Sequence, residues 1–105
     1  MRHVVLTIAI CGFMVAGTAG AGNAVSGKQK SQACIACHAE DGNSTNPQFP
    51  RLAGQHADYL VKALRDYKSG ERKNPIMAPF AAGLSVQDME DLAAYFAQQK
   101  GLSTP

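Results

Sequence analysis

The sequence is short of the features that ordinarily hold a small domain together. It has three cysteines in 105 residues, and the first, Cys11, falls in a stretch that reads as an export signal. The other two, Cys34 and Cys37, lie so close together that a disulfide between them would close too small a loop to staple a fold. No strand-like alternation is present, and there is no internal repeat or low-complexity segment. No apolar run reaches the roughly 20 residues that cross a bilayer. Charge of one sign is lacking too, with ten Lys and Arg against eight Asp and Glu. That near balance excludes nucleic acid and anionic lipid as partners, because both select a pronounced basic excess.

What is present begins with the leader. Met1-Arg2-His3 is a short basic start, residues 4–15 are apolar apart from Thr7 and Gly12, and residues 16–24 are mostly small. A basic, apolar and small-residue order is what an export signal requires. Ala19-Gly20-Ala21 offers small side chains to a peptidase, so cleavage is expected after Ala21, with Ala24 as the alternative. A retained membrane anchor is the weaker reading. Cys11 does not read as a lipid-bearing site, since Ile10 stands where such sites want a small residue. The expectation is a signal peptide over 1–21, removed on export, and one domain over 22–105. Without Arg2, nine Lys and Arg face eight Asp and Glu, a net charge of +1 over 84 residues. A domain this small buries little core and needs a staple such as a metal or cofactor.

The remaining patterns are helical. Residues 25–36 have helical character. Residues 39–47 are rich in turn formers, with Pro47 and Pro50 bracketing Phe49. Residues 55–67 carry Leu60, Val61, Leu64 and Tyr67 at i, i+1, i+4 and i+7, and Gly70 fits the end of that helix. Residues 71–83 contain Pro75, Pro79 and Gly83 and are expected to form a loop. Residues 85–100 give the clearest helix, opened by Ser85 with Asp88 three residues on. Its apolar face is Val86, Met89, Leu92, Ala93 and Phe96. Short helices joined by long irregular segments make sense if they wrap something apolar that the chain does not itself supply.

Cys34-Ile35-Ala36-Cys37-His38 identifies that component as haem. Two thiols at this spacing can add to vinyl groups on neighbouring pyrrole rings, and the next residue then brings an imidazole under the iron. The competing readings lack their context. A thioredoxin-like pair wants a βαβ unit. A structural zinc site wants a second ligand pair, and the expected domain has only one other histidine, His56. One covalent haem, attached outside the cytoplasm, is expected.

A carrier that only moves electrons should fill the iron's other axial position, and a methionine thioether does so while favouring the ferrous state. Met77 and Met89 are the candidates, with His56 as a weaker one. Met89 falls on the apolar face of the last helix and suits core packing. Met77 falls in Asn74-Pro75-Ile76-Met77-Ala78-Pro79-Phe80, a segment stiffened by prolines and long enough to reach over the haem.

These motifs continue with Asp41-Gly42-Asn43-Ser44, Phe49-Pro50-Arg51-Leu52-Ala53-Gly54-Gln55, Leu84-Ser85 and Asp91-Leu92-Ala93-Ala94-Tyr95-Phe96. In this order, over essentially the whole of 22–105, the chain resembles the bacterial class I cytochromes c of the c-553 group. It is similar also to one half of a periplasmic dihaem cytochrome c. The resemblance implies an all-α cytochrome c fold, with three to five short helices around one haem. It implies Met77 as distal ligand, and the Pro50 carbonyl as acceptor for the second ring nitrogen of His38. It also implies Leu52 on the pocket wall and Gly27 at a close helix crossing near Leu92, Tyr95 and Phe96. The dihaem relatives carry a second Cys-x-x-Cys-His unit where this chain has one, which puts a dihaem function out of reach for a single chain.

Lys62, Arg65, Lys68, Arg72 and Lys73 form a loosely basic segment. With Asp58, Asp66 and Glu71 interspersed, it reads as a solvated face before it reads as a docking patch. The function expected is that of a periplasmic electron carrier and not an enzyme. Its partners would be donor and acceptor proteins, and it would act as a monomer or as part of a redox complex, without stable membrane insertion. The alternatives are a cytochrome subunit of a periplasmic oxidoreductase complex, and a haem enzyme or gas sensor with an open iron position.

Overall fold

In a computed structural model of the protein, the described residues are 22–102 together with 3–5, 7, 9 and 12. Most of the expected signal peptide lies outside them, including Cys11 and the cleavage point at Ala21, as do residues 103–105. The described residues form five helices and no strand: α1 Ala24–Lys30, α2 Gln32–His38, α3 Ala57–Ser69, α4 Met77–Ala82 and α5 Val86–Ala97. None of these helices is long and apolar enough to cross a membrane.

The helical stretch expected over 25–36 is two helices. Between them the Ser31 hydroxyl donates to the Lys28 carbonyl at 2.7 Å, and the Ser31 N–H donates to the same oxygen. A side chain that competes with the backbone ladder in this way ends one helix, and α2 starts afresh one residue on. The loop expected over 71–83 also needs correction, because its second half is α4. Pro79 stands third in that helix, where a missing N–H costs nothing since no carbonyl lies four residues back within the helix. Asn74 starts it: its Oδ1 accepts from the N–H of Ile76 at 2.9 Å and of Met77 at 3.0 Å.

α3 ends at Gly70 and α5 begins at Ser85 with a complete capping box, both where the sequence places them. Four residues of the expected face of α5 are buried: Met89, Leu92, Ala93 and Phe96. Val86 is not, being 51% exposed at the helix's first position. Leu60, Leu92, Ala93, Tyr95 and Phe96 make the core, with Cys34 and Leu52 packed against it.

α1 lies across α5, and Gly27 is the reason they come so close. A Cβ there would stand 1.9 Å from the Asp91 carbonyl oxygen and 2.8 Å from Tyr95 Cβ. The crossing is clasped by Asp91, itself buried, which accepts from the Asn23 N–H at 2.8 Å, Lys30 Nζ at 2.6 Å and Gln87 Nε2 at 2.8 Å. Lys30 also pairs with Asp88 at 2.9 Å.

Candidate functional site

Four of the helices and the loop after α2 enclose a cavity of about 620 Å³, within the usual range for ligand pockets. Its wall is mostly apolar. Cys34, Cys37, His38, Pro50, Leu52 and Met77 all line it. The residues that the sequence singled out are therefore brought to one place.

α2 presents both thiols. Cys34 and Cys37 are three residues apart, so they share one face of the helix. Both are free. Burial pushes the Cys34 thiol up, and the neighbouring Cys37 adds to the effect.

His38 ends α2 and is buried. Its Nδ1 stands 2.8 Å from the Pro50 carbonyl oxygen. That oxygen can only accept, so Nδ1 donates, and a neutral ring then keeps its lone pair on Nε2. The Phe49 ring meets the imidazole edge-on, with centroids 6.5 Å apart at 63°.

Pro50 is placed by a closed loop. The Gly42 carbonyl accepts from the N–H groups of Leu52 at 2.8 Å and Ala53 at 3.2 Å. Gly42 has φ +82°, and a Cβ there would meet Phe96 Cδ1 at 2.8 Å and the Ala53 nitrogen at 2.9 Å, so the turn requires glycine. Gly54 then donates to the Phe96 carbonyl at 3.0 Å, and Leu102 to the Ala53 carbonyl at 2.9 Å. The loop that supports His38 is thus tied to α5 and cannot drift independently.

α3 contributes Tyr59, Leu60, Ala63, Leu64 and Tyr67 to the wall, and α4 contributes Met77 and Phe80. Tyr59, Ala63 and Phe80 escaped the sequence reading. Tyr59 and Ala63 share the stripe of Tyr67 at i, i+4 and i+8, so helical spacing along α3 would have found them. Phe80 falls in the segment expected as a loop, which offers no such spacing. The other two ligand candidates are elsewhere. His56 is exposed at the start of α3, and Met89 is 1% exposed in the core; neither lines the cavity.

The residues suit a flat, largely apolar iron macrocycle. Two adjacent thiols, one oriented imidazole and one thioether share a cavity walled by leucines and aromatics. A hydrated divalent ion is a poor match, since no group of three His, Cys, Asp or Glu among the described residues could hold a metal.

Of the basic segment, Lys62 pairs with Asp66 and Lys68 Nζ donates to the Leu84 carbonyl at 2.6 Å. Part of that charge is used within the fold.

Comparison with known proteins agrees with the geometry. The sequence profile of the family described as cytochrome c matches residues 24–100. A cytochrome c4 of Pseudomonas aeruginosa is 44% identical over 105 residues, covering 97% of this chain and 50% of its own length. Cytochrome c-554(548) of Halomonas halodenitrificans is 42% identical over 83 residues, covering 76% of this chain and 100% of its own. The crystal structure of reduced recombinant cytochrome c4 from Pseudomonas stutzeri superposes with a TM-score of 0.74 at 47% identity. That match covers 78% of this chain and 48% of the other. The chain thus spans about half the length of the cytochromes c4 it matches.

Proposed function

The chain belongs to the cytochrome c family and carries one covalent c-type haem, and from that premise we propose that it is a periplasmic electron carrier with His38 and Met77 as axial ligands. The bound haem supplies an iron that passes between ferric and ferrous states, one electron at a time. Cys34 and Cys37 hold it through thioethers. The Nδ1–H of His38 on the Pro50 carbonyl fixes the ring and raises its basicity, so that Nε2 would be free to hold the iron. Leu52, Leu60 and Phe96 keep water from the cavity. Met77, in the first turn of α4, would offer its thioether to the iron as the second side-chain ligand.

The observation that carries this reading is a tethered imidazole and a thioether on the wall of one apolar cavity. Held by both His38 and Met77, the iron would offer oxygen and peroxide no open coordination site, so that the chain would pass electrons to protein partners and transform no substrate. Export fits the same reading, because haem is attached outside the cytoplasm. The exported domain is 22–105 after loss of 1–21.

Carbon monoxide tests it. The reduced protein should keep its spectrum under carbon monoxide, and Met77→Ala should bind the gas readily. Immediate binding by the wild-type protein would mean an open iron position and would favour an enzyme or gas sensor.

A further inference from the structure

Two cations reach the cavity wall, Arg51 and Arg72. Arg51 turns its Nε to the Ser44 carbonyl at 3.1 Å. Arg72 is held at both backbone and side chain. Its N–H donates to the Asp66 carbonyl at 3.0 Å, the same oxygen that receives the Gly70 N–H where α3 ends. Its guanidinium carbon lies 4.7 Å from the centroid of the Tyr67 ring, and Nη1 donates to the Tyr59 hydroxyl at 3.4 Å. Both tyrosines line the cavity as well.

Stacking suits a guanidinium, which is planar and weakly hydrated, and it leaves most of the N–H donors unspent. Among the described residues none of the ion pairs includes Arg72; the nearby Asp66 carboxylate is already paired with Lys62. A positive charge is therefore held beside an apolar cavity, and among the described residues no carboxylate side chain pairs with it.

We propose that Arg72 is a positioning residue of the redox site, a fixed cation at the cavity rim that favours the ferrous over the ferric haem and so raises the reduction potential. This rests on the reading that the haem attached through Cys34 and Cys37 occupies this cavity. Oxidation sends one electron to a redox partner and leaves one more positive charge in the cavity, which Arg72 opposes through space. Arg72 is exposed, so solvent and salt screen the effect and it is modest.

The test is the midpoint potential of the holoprotein at about 10 mM and about 1 M salt, where screening lengths are near 30 Å and 3 Å. At low salt, Arg72→Gln should reduce the ferrous-to-ferric ratio at a fixed potential about threefold, roughly 28 mV from 59 mV per tenfold. Arg72→Lys should retain most of the wild-type ratio. Lys73→Gln, at an exposed neighbour off the cavity wall, should move it less than half as far. In 1 M salt the wild type and Arg72→Gln should converge. If Arg72→Gln does not accumulate, Arg72→Met, which keeps an apolar stem against Tyr67, takes its place. An unchanged ratio at low salt, an equal shift in Lys73→Gln, or a difference that survives high salt would each overturn the proposal. The axial reading is tested separately by the wild-type carbon monoxide experiment, whose failure would leave the Arg72 comparison standing.

Discussion

At single residues, what was legible in the sequence is what local covalent chemistry dictates. Cys34, Cys37 and His38 are fixed by a five-residue spacing, and α2 needs only to be helical to present them together. Pro50 acts through a carbonyl, which every residue has, so nothing in its side chain marks the role. The resemblance suggested it, and the closed loop at Gly42 explains it. Phe80 carries no motif at all and gains its place only through the formation and packing of α4. Gly27 makes the residue-scale prediction. Gly27→Ala pushes a Cβ into the Asp91 backbone and should cost about 1–3 kcal/mol, the range for overpacking a tight contact. Guanidinium denaturation of the holoprotein measures this, and because Gly27 is off the cavity wall the haem spectrum should not change. Unchanged stability would mean that α1 does not cross α5 at this point.

Among the elements, α3 and α5 were legible because apolar spacing and end signals agree. α4 was not, because Pro75, Pro79 and Gly83 read as breakers, yet a proline in a helix's first turn breaks nothing. The expected 25–36 helix failed for the opposite reason: nothing in its composition shows that the Ser31 side chain bonds back to Lys28. Ser85→Ala removes the capping box of α5 and should cost about 1 kcal/mol in thermal or denaturant melts.

The α1–α5 clasp predicts an acid response. The Ser85 N–H first and Lys30 second lower the Asp88 carboxyl to about 2. Asp91 is lowered too, by the Asn23 N–H and then Lys30. Groups depressed in the folded state stabilise it fully above their unfolded value of 3.8, and that contribution is lost as pH falls towards 2. Lys30→Gln should make the loss of helicity on acid titration shallower across this window. An identical titration would remove Lys30 from the clasp.

On the scale of the whole molecule, α2, α3, α4, α5 and the 42–53 loop converge on one cavity, while the core proper amounts to a few residues on α3 and α5. That architecture explains why the sequence shows no other staple. Composition and spacing could say that the helices surround something; the arrangement of the walls required the three-dimensional packing. Replacing both Cys34 and Cys37 by serine should leave a chain that loses haem in denaturant extraction. Its far-ultraviolet circular dichroism should show a large loss of helix, because the cavity walls then have little to pack against. Full helicity without haem would show that the polypeptide is self-sufficient.

The central claim is that His38 and Met77 close the two axial positions of one covalent haem. The near-infrared spectrum of the ferric protein addresses it most directly. The account predicts a methionine-to-iron charge-transfer band in the wild type that disappears in Met77→Ala and persists in Met89→Leu. A wild-type spectrum without that band, or a band that survives Met77→Ala, would contradict it.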